Sequence, residues 1–191
     1  MHRGRLEAFS DGVIAVIITI MVLELKVPRG TDWAALRPAI PVFLSYVLSF
    51  IYIAIYWNNH HHMLQACQKV NGRVLWANLH LLFWMSLVPV VTTWMGENHR
   101  ATIPVALYGS VLFLTGCAYL ILSRELIALN GKDSPLAKAL GKDYKGFSSL
   151  LLYAVAVGLS FVNTWSALVV YSLVALVWLA PDPRIEKRIA E

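Results

Sequence analysis

Six long apolar runs separated by short polar breaks make up most of this chain. The first covers about residues 6–27. It opens on charge, carries Ser10 and Asp11 into its start, and has no charged residue across 13–23, where Thr19 is the one polar side chain. At about 100° per residue, Arg5, Phe9, Gly12, Val16, Thr19, Ile20, Leu23 and Val27 share one helical face, and Ser10 and Asp11 fall roughly 120° and 220° from Val16. The pattern predicts an aliphatic stripe broken by one hydroxyl, with the polar pair turned towards other partners. The second run, 42–60, follows Pro38 and Pro41, both suited to a first helical turn. The third, 74–95, contains Pro89 and is expected to bend there. The fourth, 103–122, has Thr102 as its expected N-cap before Pro104. The fifth and sixth, 147–162 and 165–180, are joined by Asn163-Thr164, which predicts a tight antiparallel hairpin.

Residues 123–145 form the one sizeable polar stretch. Within it Asn130-Gly131 is a helix-stop signal and Asp133-Ser134-Pro135 a helix-start signal, with a short amphipathic piece at 136–140. The chain ends on Pro181-Asp182-Pro183 and a charged tail. No repeat of 20–50 residues is visible and the two halves do not resemble each other. Residues 1–191 therefore read as one six-helix transmembrane domain.

Composition agrees: 58% of the 191 residues are hydrophobic and 14% charged. Several runs approach the ~20 residues a helix needs to cross hydrocarbon, the fifth and sixth being short, and a membrane β-barrel would show alternating segments of about ten. The expected fold class is all-α, polytopic, with six transmembrane helices. The first run resembles a signal peptide at its basic start, but Glu24-Leu25-Lys26 stands where a small-residue cleavage site belongs, so it is read as retained. With six spans, twelve of the sixteen Lys and Arg residues fall on the side of the termini, and Lys26, Arg29, Arg37 and Arg100 on the other. That asymmetry places both termini in the cytoplasm and accounts for the net charge of +5 without nucleic acid. Cys67 and Cys117 are isolated and suggest ordinary helix positions. Trp57, Trp76, Trp84, Trp94, Trp165 and Trp178 lie near span ends, as an aromatic belt does. Gly109, Gly116 and Gly158 read as places where helices pack closely.

The candidate chemistry lies at the start of the first span. His60-His61-His62 suggests a metal site at first sight. Successive rings on a helix point about 100° apart, however, and the i, i+4 pair of a metal helix is missing. Interfacial histidines are one alternative. The other is that one or two rings hydrogen-bond Ser10 and Asp11, with Asn78 or His80 of the third span beside them, because a carboxylate near hydrocarbon needs partners. No phosphate loop, nucleophile elbow or paired-carboxylate arrangement is present, and nothing argues for an enzyme, a metal or a cofactor.

Two classes of function remain. In a channel, copies of the first helix surround an axis, with Val16, Thr19, Ile20 and Leu23 facing it as dewetting rings and a hydroxyl ring. A transporter is expected to show inverted repeats and charged groups at mid-membrane, and neither is visible here. The same apolar face could equally pack inside one subunit.

Arg5-x-x-x-Phe9-Ser10-Asp11-Gly12 at the head of a first transmembrane helix resembles the signature of the endosomal–lysosomal potassium channel family (transmembrane protein 175), in its single-repeat bacterial members. Tyr56-Trp57-x-x-His60-His61 and Trp76-x-Asn78 are similar to that family too. The resemblance implies a potassium-permeable homotetramer in the bacterial plasma membrane, with potassium as permeant ligand and a first helix lining the pore. It implies no Thr-Val-Gly-Tyr-Gly loop, and none occurs. It places the hydrophobic pore positions on Val16, Ile20 and Leu23 and the pore threonine on Thr19. Arg5, Phe9, Ser10 and Asp11 match the signature's structural network, with His60 or His61, Asn78 and His80 as partners. A secondary transporter or a proton-permeable leak protein is the alternative.

Overall fold

The computed structural model describes residues 3–140 and 143–179. Lys142, Ala180 and the tail that contains Arg184, Lys187 and Arg188 lie outside them. Every regular element among the described residues is helical: α1 Arg3–Leu23, a 3₁₀ segment Trp33–Ala39, α2 Ile40–Gln65, α3 Gly72–Ser86, α4 Val88–Glu97, α5 Thr102–Asn130, α6 Pro135–Leu140, α7 Tyr144–Ser160 and α8 Thr164–Leu179. A helix satisfies all its backbone groups internally, which is the condition for running through lipid. Among the described residues, four stretches are long and apolar enough to cross a membrane: α1, the 3₁₀ segment with α2, α3 with α4, and α5; α8 is a shorter apolar helix.

Local chemistry sets most boundaries. Asp32 accepts from the Ala35 N–H at 3.1 Å to start the 3₁₀ turn, and Pro41 sits in the first turn of α2. Asn71 caps α3 through the Val74 N–H at 3.0 Å, and Asp143 caps α7 through the Gly146 N–H at 2.8 Å. The expected bend of the third run is a break: α3 stops at Ser86, Leu87 links, and Pro89 sits in the first turn of α4, where its missing N–H costs nothing. Thr102 is the first helical residue of α5, and Ala101 takes the cap position without a side-chain bond. That helix also runs well past 122, through Arg124 and Glu125 to Asn130, where Gly131 at φ 98° ends it. Asn130 then holds the α2–α3 connection, its Oδ1 accepting from the Gln68 and Lys69 N–H groups at 3.0 and 2.9 Å. In the α7–α8 hairpin, Asn163 Oδ1 accepts from the Trp165 N–H at 2.9 Å.

α5 is the hub, packed on α3, α4, α7 and α8, while α2 lies on α4 and α8 and α1 leans on α2, α3 and α4. Hydroxyl groups make several of the bonds between the apolar helices. Thr92 Oγ1 lies 2.6 Å from Val88 O and 2.7 Å from Ser49 Oγ, itself 3.0 Å from the Tyr108 hydroxyl. The Tyr52 hydroxyl donates to Tyr171 O at 2.5 Å. Lipid gives no hydrophobic drive to helix pairing, so close packing and such bonds carry it. Gly109 and Gly116 sit under Tyr171 and Leu150, whereas Gly158 faces open space. Gly96 is the tightest approach to backbone: a Cβ there stands 2.8 Å from Val42 Cα on α2. Gly96→Ala is expected to cost about 1–3 kcal/mol by prising α4 from α2, read as a lower apparent melting temperature in detergent.

Candidate functional site

α1 presents two faces. Leu6, Ser10, Ile14, Ile17 and Met21, three or four residues apart, are buried against the rest of the subunit. The opposite face stays uncovered: Phe9 is 52% exposed, Val16 54%, Ile20 42% and Leu23 80%, and Arg5, Gly12 and Thr19 are exposed as well. The Thr19 hydroxyl donates to Val16 O at 2.9 Å. Its single hydrogen is thereby used on the helix, and the oxygen keeps its lone pairs for whatever lies outside.

On the packed face, Ser10 is fully buried and donates to Leu6 O at 2.9 Å. Having spent its hydrogen, it can only accept from Asn78 Nδ2, 2.9 Å away. That fixes the Asn78 amide, so its Oδ1 accepts at 2.7 Å from His60 Nε2. His60 is therefore the Nε2–H tautomer, and its buried Nδ1 is left without a partner. Leu6, Ser10, Asn78 and His60 form one chain of bonds joining α1, α3 and α2.

Asp11 stands apart from this chain, because residues 10 and 11 point about 100° apart on a helix and one partner cannot reach both. Asp11 accepts instead from Trp57 Nε1 at 2.9 Å. His61 stacks on the Trp57 ring at 5.7 Å, and its Nε2 lies 2.8 Å from the Gln65 amide nitrogen. Its Nδ1 is 3.2 Å from Glu7 Oε1, without hydrogen-bond alignment. Arg3 Nη1 donates to Gln65 O and Cys67 O at 2.9 and 3.0 Å. Residues 3, 7 and 11 thus meet residues 65, 61 and 57 as three rungs between antiparallel helices. Of the expected partners, Asn78 meets Ser10 directly and His60 reaches it only through Asn78, so no histidine bonds Ser10 or Asp11 among the described residues. His80 accepts from Trp84 Nε1 at 2.9 Å on an exposed face. Arg5 and Phe9 face outwards, with no hydrogen bond from Arg5 among the described residues. His60 turns to Asn78 while the His61 and His62 rings pack edge to face at 5.7 Å, and no cluster of three His, Cys, Asp or Glu side chains that could hold a metal occurs among the described residues. Glu7, Trp57, Gln65 and Arg3 were not singled out as partners from sequence. Their signal was the matched four-residue spacing in the first two spans.

A family model described as endosomal/lysosomal potassium channel TMEM175 matches residues 5–89, the stretch holding α1 to α3. A Chryseobacterium protein named as a potassium channel is 54% identical over the whole of both chains. The chain belongs to the TMEM175 family. The crystal structure of a lysosomal potassium-selective channel TMEM175 homologue from Chamaesiphon minutus superposes with a TM-score of 0.77 at 28% identity, covering 93% of this chain and 96% of that one. The cattle protein named as an endosomal/lysosomal proton channel TMEM175 is 27% identical over 86% of this chain, which covers 38% of its length. TMEM175 proteins are channels, so this one is a multi-pass membrane protein and not an enzyme.

Proposed function

We propose that the chain forms a potassium-permeable channel in the bacterial plasma membrane, a homotetramer with six membrane-crossing helices per subunit, α1 at the axis and both termini in the cytoplasm. One observation carries the reading. The face of α1 bearing Val16, Thr19, Ile20 and Leu23 is exposed in the subunit, while its other face holds α1 in place. Four copies around an axis stack rings of Val16, Ile20 and Leu23 as dewetting constrictions, with a ring of Thr19 oxygens between them. Because each Thr19 hydroxyl donates inward, its oxygen is free to replace part of a potassium ion's hydration. Sodium, smaller and more strongly hydrated, is dehydrated at greater cost by the same neck. Potassium is the permeant ligand, and the reading needs no cofactor. Arg5, Phe9, Ser10, Asp11, His60, His61, Asn78 and His80 act in assembly and in the seating of α1. A proton-permeable leak is the second reading, favoured by the name of the cattle relative.

Flux into liposomes under potassium, sodium or proton gradients tests this. Potassium flux that exceeds sodium flux supports the channel, and proton flux alone favours the leak. Thr19→Ala is expected to remove about 1 kcal/mol of cation stabilisation, roughly fivefold in the potassium-to-sodium permeability ratio, with expression intact. An unchanged ratio removes Thr19 from selectivity.

A further inference from the structure

At the far end of α1 the helix runs one residue past Leu23, the Glu24 N–H donating to Ile20 O at 3.3 Å. Two residues on, the exposed Lys26 ammonium reaches Glu97 Oε1, at the end of α4, at 2.5 Å. The hydrogen bond and charge of the Glu97 carboxylate beside it raise the affinity of Lys26 for its proton. These residues border an opening of about 840 Å³ between the α1–α2 connection, the start of α2 and the end of α4. With Lys26 matched by Glu97, the remaining charged side chains on the opening are Glu24 and Arg29, and the ring of His99 lines it too. Glu24 continues the helix itself, whereas Arg29 lies further along the connection, next to the turn at Gly30 (φ 140°).

We propose that the Lys26–Glu97 ion pair sets the potential at this mouth of the conduction path, neutralising the ammonium that follows α1 so that the Glu24 carboxylate gathers entering potassium ions. The inference rests on α1 standing at the axis, as proposed above. Exposed charges act over a Debye length of about 30 Å at 0.01 M salt and about 3 Å at 1 M, so the effect belongs to low salt. Four copies of each charge around one axis add their fields at the opening.

The test is potassium flux through the full chain in liposomes at both salt concentrations. Glu24→Gln and Glu97→Gln are each expected to lower low-salt flux about two- to threefold, Lys26→Gln to raise it, and all three to match the unmodified protein at high salt. The Lys26→Gln/Glu97→Gln double variant is expected to return to the unmodified low-salt rate. A purely structural pair gives another picture: Lys26→Gln loses flux as Glu97→Gln does, and the losses persist at high salt and in the double variant. That result, or variants that never differ, overturns the inference while leaving the channel intact. Absence of potassium flux from the unmodified protein overturns both.

Discussion

Asn78→Leu is expected to be the most destabilising single change in the chain. The leucine is close in volume and apolar, so packing is nearly kept, but both bonds of the amide vanish. His60 Nε2–H is then buried without its partner, at about 1–3 kcal/mol, and Ser10 Oγ keeps its bond to Leu6 O but loses the donor it accepts from. A total near 3 kcal/mol corresponds to a fall of roughly 10 °C in apparent melting temperature for a chain of this size. Ser10→Ala should cost less, since it strands only the Asn78 amide nitrogen. Asp11→Ala should cost less again in the isolated subunit, because its bond to Trp57 is exposed. Thermal unfolding in detergent, followed by the loss of the monodisperse chromatographic peak, ranks the three. A melting temperature of Asn78→Leu equal to that of the unmodified protein shows that the chain of bonds does not hold α1 in place.

What the sequence made legible was what repeats locally. A helical period is a property of neighbours three and four apart, so the stripes of α1 follow from its letters, but both are apolar and only the structure shows which one is packed. The same arithmetic put Ser10 and Asp11 on different sides, which should have implied separate partners for them; the structure gives Asn78 to one and Trp57 to the other. Partners across long separations were less visible. Nothing in the α1–α2 connection points to Glu97, which lies 71 residues from Lys26. The reach of α5 to Asn130 was missed because Arg124 and Glu125 look like a loop when polarity alone is read; the stop signal at Gly131 was the better guide. Trp57 was read as a membrane anchor because a tryptophan near a span end fits that role equally well.

The hydroxyl bonds of the subunit explain how so apolar a chain keeps a definite packing. Ser49, Thr92 and Tyr108 tie α2, α4 and α5 together near the α3–α4 break, and Tyr52 ties α2 to α8. Each donor is satisfied inside the subunit, leaving the middle of the helices free of charge. Apolar surface lies uncovered on α1, as it does on α2, α7 and α8, and the path proposed above runs along that of α1.

Ile20→Asn is expected to give the largest change in conduction. Ile20 lies on the exposed side of α1 at 42% exposure, between Thr19 and the ring expected at Leu23. An aliphatic ring at a narrow neck excludes water, and an ion cannot cross where its hydration shell cannot follow. In the proposed tetramer, four amides in place of four isoleucines supply donors and acceptors at that point, so the neck wets. A barrier lowered by about 1.4 kcal/mol raises flux tenfold, with a loss of discrimination between potassium and sodium because both ions then pass hydrated. Ile17→Asn is the matched control. Ile17 is 3% exposed and faces the subunit interior, so the same amide there is buried without a partner and is expected to lower stability while leaving the flux of surviving channels close to normal. Liposome flux and detergent melting curves on both variants separate the two faces. If Ile20→Asn proves the unstable one and Ile17→Asn the leaky one, the conducting surface of α1 lies on the opposite side from the one assigned here.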